Sequence, residues 1–177
     1  MEKLDYKIRI AKSMKDELGI LKVRDTTWAE TYANPRLGIT KLMIQNHLKR
    51  KFNEVYIQRY YETLKQKNIK NWIVQDSKKE IVGWLFCSKD TEIKGSIGMY
   101  LLPEFQSKGI GSKLIEREIK WLSKLKYIEL EVVSYNEKAI KFYKKFGFKF
   151  TGNKSDFKIG DYTLKDARLE MRKTLRN

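Results

Sequence analysis

The sequence has one cysteine, Cys87, one histidine, His47, and two prolines, Pro35 and Pro103, in 177 residues. A single thiol excludes an internal disulfide, and one thiol with one imidazole is too few for the usual four-ligand zinc site. No apolar run approaches the roughly 18 residues of a membrane-spanning helix. The opening Met-Glu-Lys-Leu-Asp-Tyr lacks the apolar segment of a secretory signal. With 41% hydrophobic residues, the composition is that of a globular chain with an adequate core. The expectation is one cytoplasmic, metal-free domain over residues 1–177, with no membrane association, as a monomer or homodimer.

Negative charge is also scarce: 38 Lys and Arg stand against 22 Asp and Glu, a net charge of +16. The excess is spread, with 13 basic and 7 acidic residues over 1–60 and 25 and 15 over 61–177. No basic tail or arginine-rich arm marks a dedicated nucleic-acid surface, and lysines at helix-surface positions read as a solvated face. A positive field favours capture of a polyanionic ligand and opposes a polycationic one.

The coarse pattern is mixed α/β. Tyr6, Ile8 and Ile10 alternate with Lys7 and Arg9, a first strand. Residues 12–33 place Met14, Leu18, Leu21, Trp28 and Tyr32 on one helical stripe, and Asn34-Pro35-Arg36-Leu37-Gly38 is a turn. Helices over Thr40–Phe52 and Glu54–Lys67 follow. Lys70–Asp76 and Glu80–Lys89 read as a hairpin through Ser77-Lys78-Lys79, and Lys94–Leu102 as the next strand. The chain then runs helix (Ser112–Leu125), strand (Tyr127–Val133), helix (Asn136–Phe146) and strand (Phe148–Thr151). A loop over Asn153–Asp161 precedes a last strand, Tyr162–Arg172. Ser134-x-x-Glu137 reads as a capping box for the second of these helices.

Between the strand ending at Leu102 and the helix near Ser112 lies Gln106-Ser107-Lys108-Gly109-Ile110-Gly111. Two glycines let backbone amides approach an anion that a Cβ would hold off, and the helix start adds unpaired N–H groups and a positive dipole end. This is a pyrophosphate cradle or, read blandly, a tight turn with a packed glycine. It is not a Walker loop, because Ser112 separates Gly111 from Lys113. Leu114 occupies the third-glycine position of a dinucleotide fingerprint.

With Asn136, Ala139, Phe142-Tyr143 and Gly147-Phe148 downstream, residues 70–172 resemble the GNAT superfamily of acetyl-CoA-dependent N-acetyltransferases. The segment Thr27-Trp28-Ala29-Glu30-Thr31-Tyr32 is similar to a polyamine-acetyltransferase-like subgroup. The resemblance implies a single-domain GNAT-type fold, a twisted mixed sheet with helices on both faces and strands splayed around a coenzyme slot. Residues 1–69 would form the acceptor side and 70–172 the coenzyme-binding core. Acetyl-CoA would be the co-substrate and a small-molecule or peptide amine the acceptor.

On that resemblance, the main chain of Met99, Tyr100, Leu101 and Leu102 pairs with the pantetheine arm. Gln106, Ser107, Lys108, Gly109, Ile110, Gly111 and Ser112 hold the pyrophosphate, with Lys145 and Lys113 within reach of phosphates or serving only solubility. Asn136 contacts the coenzyme, or simply starts a helix. Tyr143 donates a proton to the leaving thiolate, or packs beside Phe142 and Phe146. The family's usual base position falls on Gly95, leaving Glu92, three residues earlier, as a substitute or an exposed turn carboxylate. Asp25 shares the stripe of Trp28 and Tyr32 and is expected to hold a cationic acceptor with them, or to cap a second helix at Thr26-Thr27. His47 reads as solvated and Cys87 as a packed apolar residue.

Overall fold

Period-two alternation over Tyr6–Ile10 builds β1, which pairs antiparallel with β2 (Ile69–Asp76) from Tyr6↔Asp76 to Ile10↔Trp72. The computed structural model describes residues 5–51 and 54–176; Met1 to Leu4, and Phe52 at the end of the expected second helix, lie outside them. Between β1 and β2 come α1 (Met14–Tyr32), α2 (Lys41–Lys51) and α3 (Glu54–Thr63). Then follow β3 (Ile81–Lys89), β4 (Lys94–Leu101), α4 (Ile110–Leu122), β5 (Tyr127–Val133), α5 (Glu137–Lys145), β6 (Lys149–Ile159) and β7 (Tyr162–Thr174). The seven strands form one sheet in the order β1-β2-β3-β4-β5-β7-β6. Every neighbouring pair is antiparallel except β4 and β5, whose parallel pairing needs a crossover, here α4.

Alternation divides the strand side chains between two cores. Leu85, Ile97, Ile128, Leu130 and Val132 pack with Leu114, Ile115 and Leu122 of α4 and Tyr143 of α5. On the opposite face, Trp84 packs with Ile20 of α1, and Val133 with Ile44 and Leu48 of α2. The expected mixed sheet with helices on both faces is therefore present.

Three local expectations need correction. The Asn153–Asp161 loop is mostly strand, since β6 runs to Ile159. Two register shifts, at Phe150/Lys154 and Ser155/Phe157, break the alternation that would have marked it, as bulges do. The cap of α5 is Asn136, which accepts from the Ala139 N–H at 3.2 Å, and not Ser134. In α1, Leu18 is 54% exposed, whereas Glu17, Ile20, Val23, Arg24 and Thr27 are buried. The inward face of this helix carries charge, so the expected stripe marks it only in part: Leu21 is buried and Leu18 is not. The helix is continuous from a Ser13–Asp16 capping box to Tyr32, which removes a break at Thr26-Thr27; Thr27 instead returns its hydroxyl to the Val23 carbonyl at 2.7 Å.

Glu118 of α4 is 0% exposed. It faces Cys87, Trp72 and Lys70, and burial pushes its carboxyl up to about 7. Between the unfolded carboxyl's 4.5 and 7, the native state binds more protons, so stability falls as pH rises through that window and is level above it. Glu118→Gln is therefore expected to match the parent at pH 4 and to exceed it at pH 8 by on the order of 3 kcal/mol. Urea unfolding at the two pH values checks this; an equal difference at both would contradict it.

Candidate active site

β4 and β5 pair over only three positions, Lys94↔Tyr127, Gly95↔Ile128 and Ser96↔Glu129. Both strands continue, to Leu101 and Val133, without further pairing. They leave a wedge-shaped opening in the middle of the sheet. On its other edge β4 stays paired with β3 to Gly83↔Leu101, and the Leu102 N–H donates to the Val82 carbonyl at 3.0 Å. Main-chain groups alternate along a strand, so those of Ser96, Gly98 and Tyr100 turn to β3. Those of Met99 and Leu101 turn into the opening. The Leu101 carbonyl is taken by the Gln106 side-chain amide at 2.7 Å. Among the described residues, nothing takes the main-chain groups of Met99.

Past Leu101 the chain makes a short 3-10 turn, Pro103–Phe105. Ser107 (φ 61) and Gly109 (φ 80) then take left-handed conformations before α4 begins at Ile110. Among the described residues, no acceptor takes the N–H groups of Ser107 to Ser112. A Cβ on Gly111 would lie 3.4 Å from both Met99 and Phe142, so this first turn sits against β4 and α5 beside the opening. The loop is thus a set of inward-turned donors at a helix start, the arrangement that holds phosphate. Ile110 is fully buried and contributes only main chain. Gln106 bridges β4 to α5, accepting from Lys138 Nζ at 2.7 Å; its side chain positions the loop. Lys108 lies over the Phe105 ring at 5.9 Å and Lys113 over Tyr6 at 5.3 Å. Lys145 is exposed at the far end of α5, and the lysine of that helix that touches the loop is Lys138. Asn136 spends its side-chain oxygen on the α5 cap.

Tyr143 enters from α5, 7% exposed, with its ring 5.4 Å from Phe142 and 5.7 Å from Phe148. Its hydroxyl has no hydrogen-bond partner among the described residues, yet it is not one of the unpaired polar atoms sealed from solvent. Burial, with Tyr100 adding to it, holds this phenol well above its ordinary value. It is a proton donor at neutral pH. Tyr32 is raised in the same way by burial, then by the nearby Tyr100 and Tyr143. Trp28 meets Tyr32 edge-on at 5.0 Å, and its indole N–H faces the Tyr100 hydroxyl.

Two expected residues are elsewhere. Asp25 does not follow the buried face of α1; its side chain is 49% exposed and held by Arg24 at 2.6 Å. Glu92 is exposed in the turn before β4, at the closed end of the wedge. Met99 is seven residues further along, about 23 Å of strand. Gly95, the usual base position, faces α4, and a Cβ there would lie 2.9 Å from the Ser88 carbonyl and 3.0 Å from Leu125. Packing closes that position to any larger residue.

Beyond the last β4–β5 pair, the carboxylate carried by β5 is Glu131, and it leans across β7 toward β6. Leu130 and Val132 point into the α4-side core, so Glu131 points to the α1 side, from the stretch of β5 that has left β4. Its oxygens are 3.1 Å from Arg168 Nη1 and 3.3 Å from Ser155 Oγ, and its side chain is 53% exposed. Glu129, two residues earlier, is closed off by Lys94 and Arg172. A charge among the valines and leucines of a central strand was the available signal in the sequence. His47 is not simply solvated: it stacks on Trp28 at 6.5 Å, and its Nδ1 accepts from the Gly160 N–H at 2.9 Å. Cys87 is buried as expected.

Comparison with known proteins agrees with this geometry. The model of the acetyltransferase (GNAT) family matches residues 40–148. The fold is similar to that of a PaiA N-acetyltransferase from Thermoplasma acidophilum in complex with coenzyme A, at 22% identity and TM-score 0.72 over 95% of this chain and 99% of that one. It is also similar to a spermidine N-acetyltransferase from Vibrio cholerae in complex with CoA and spermine, at 17% identity and TM-score 0.69 over 97% and 96%. A third is a phosphinothricin acetyltransferase from Sinorhizobium meliloti in complex with AcCoA, at 15% identity and TM-score 0.71 over 98% and 90%. No curated protein matches the chain in sequence. The chain belongs to the GNAT acetyltransferase family. It is an acetyltransferase whose acetyl donor is acetyl-CoA.

Proposed function

We propose that the protein moves the acetyl group of acetyl-CoA to the primary amine of a small molecule by direct attack in the β4/β5 opening. The observation that carries this is the convergence, on one wedge, of a free main-chain edge at Met99, an anion cradle at Ser107–Ser112 and the buried phenol of Tyr143, with Glu131 on the strand that borders it. The coenzyme supplies the thioester. Met99 would pair with its extended arm and the cradle would take its diphosphate.

The chain's own residues then supply the proton chemistry. An alkylammonium must lose a proton, at a cost of about 4–5 kcal/mol at pH 7. Glu131 accepts that proton, directly or through a water. As the nitrogen–carbon bond forms, the carbon–sulfur bond breaks, and the Tyr143 hydroxyl protonates the departing sulfur. The attacking nitrogen sheds its second surplus proton, which by way of solvent restores the Tyr143 hydroxyl, and the proton held by Glu131 leaves to solvent, so no covalent acyl-enzyme is needed.

A polyamine or a peptide N-terminus are finer readings of the acceptor. Against a polycation, Asp25 and Glu131 are each already paired with an arginine, Arg24 and Arg168, and the chain carries +16. Free-thiol release from acetyl-CoA, screened over small monoamines, polyamines and peptide amines, tests the proposal. Tyr143→Phe is expected to lower turnover by about 10²-fold or more and to leave the Kd for coenzyme A unchanged. Coenzyme binding by the wild type without turnover of any amine would instead mark a non-catalytic coenzyme-binding module.

A further inference from the structure

Gly98 is the one glycine of this chain whose presence neither backbone nor packing explains. Of the ten glycines, five have positive φ and four others would bring a Cβ to 3.4 Å or less from a neighbouring atom. Gly98 has no positive φ, and a Cβ there would meet nothing within 4 Å among the described residues. It lies inside β4, where glycine weakens a strand and often marks the close approach of a ligand.

The direction of that space is fixed by the sheet. Gly95, Ile97 and Leu101 pack toward α4, so Gly98 and Tyr100 face α1. Phe86 stands directly opposite Gly98 on β3, yet its ring does not cover the glycine. Trp84 stacks on Tyr100 at 5.2 Å and meets Phe86 at 6.5 Å, so the border is aromatic. Carrying the register of Ser96↔Glu129 two residues onward sets Gly98 level with Glu131 across the wedge.

We infer that Gly98 is a specificity-determining residue: the space above it seats the acceptor, and the acceptor is a primary amine carried on a broad apolar group. This rests on acetyl transfer in the β4/β5 opening. The group lies over Gly98 against Phe86 and Tyr100, with its nitrogen toward Glu131. The main-chain groups of Gly98 turn to β3, so a side chain added here does not touch the Met99 groups reserved for the coenzyme.

The test compares wild type, Gly98→Ala and Gly98→Val with acetyl-CoA and three amines, n-butylamine, 2-phenylethylamine and spermidine. Wild type is expected to favour 2-phenylethylamine. Gly98→Val is expected to lower kcat/KM for that amine at least tenfold and for n-butylamine less than threefold, with the Kd for coenzyme A unchanged by calorimetry. Gly98→Ala is expected to show a smaller loss in the same order, with Tm equal to or above the parent's. Equal losses for all amines, a weakened coenzyme, or a preference for spermidine would each overturn the inference. A wild type that binds the coenzyme and turns over no amine would overturn the transfer reading as well. If Gly98→Val does not fold, Gly98→Ala decides: a lower Tm makes the glycine structural, and an unchanged ratio of the two monoamines removes the acceptor from this space.

Discussion

Glu131→Gln is expected to lower kcat/KM by about 10²–10⁴-fold at neutral pH, the range for loss of a positioned proton acceptor. The amide keeps the volume of the side chain and still accepts from Arg168 and Ser155, the two partners of the carboxylate. What it loses is the capacity to take a proton from an ammonium. Glu131 lies on β5, across the wedge from the coenzyme-facing edge of β4, so the Kd for coenzyme A should not change. Raising the pH supplies neutral amine without a base, so the gap between variant and parent should narrow as pH approaches the amine's own pKa near 10. A variant within threefold of the parent at pH 7, or one whose deficit is constant with pH, would contradict this role.

The contrast between Glu92 and Glu131 shows how far the sequence reaches. Gly109, Gly111 and the Asn136-to-Phe148 segment are local signals, because a left-handed turn, a helix start and an aromatic helix face are each set by a few adjacent residues. They placed the loop, α4 and α5 to within a few residues. The parting of β4 from β5 is different, since it depends on the register between strands separated by a crossover helix. No local pattern states that pairing stops at Ser96↔Glu129. Without it, a base could only be counted back from Pro103, which led to Gly95 and its neighbour Glu92. That end of the strand is closed by Ser88 and Leu125.

α1 misled for a related reason. Its buried face includes Glu17 and Arg24, so the exposed Leu18 and the flanking Asp25 looked more inward than they are. Trp28 and Tyr32 still pack inward, against Phe157, because aromatic side chains are long enough to cover a helix flank as well as its centre. Local breakdown of register hid β6 in the same way, since its bulges interrupt the only periodicity a strand displays.

The second large effect is on backbone protection. Coenzyme A added at a hundred times its Kd stabilises the bound state by about 2.7 kcal/mol, enough to slow exchange of amides it covers roughly 100-fold. Those amides are named by the geometry: Met99 and Leu101, on the unpaired edge of β4, and Ser107 to Ser112, whose N–H groups have no acceptor among the described residues. Gly98 and Tyr100, already bonded to β3, serve as internal references and should change far less.

Hydrogen exchange resolved to single amides, with and without coenzyme A, is accordingly the most direct measurement. Slowing that alternates along β4, strong at 99 and 101 and weak at 98 and 100, together with slowing across the 107–112 turn, is the predicted result. Uniform slowing over the whole sheet, or none at these positions while the coenzyme binds, would place the ligand outside the wedge and contradict the account.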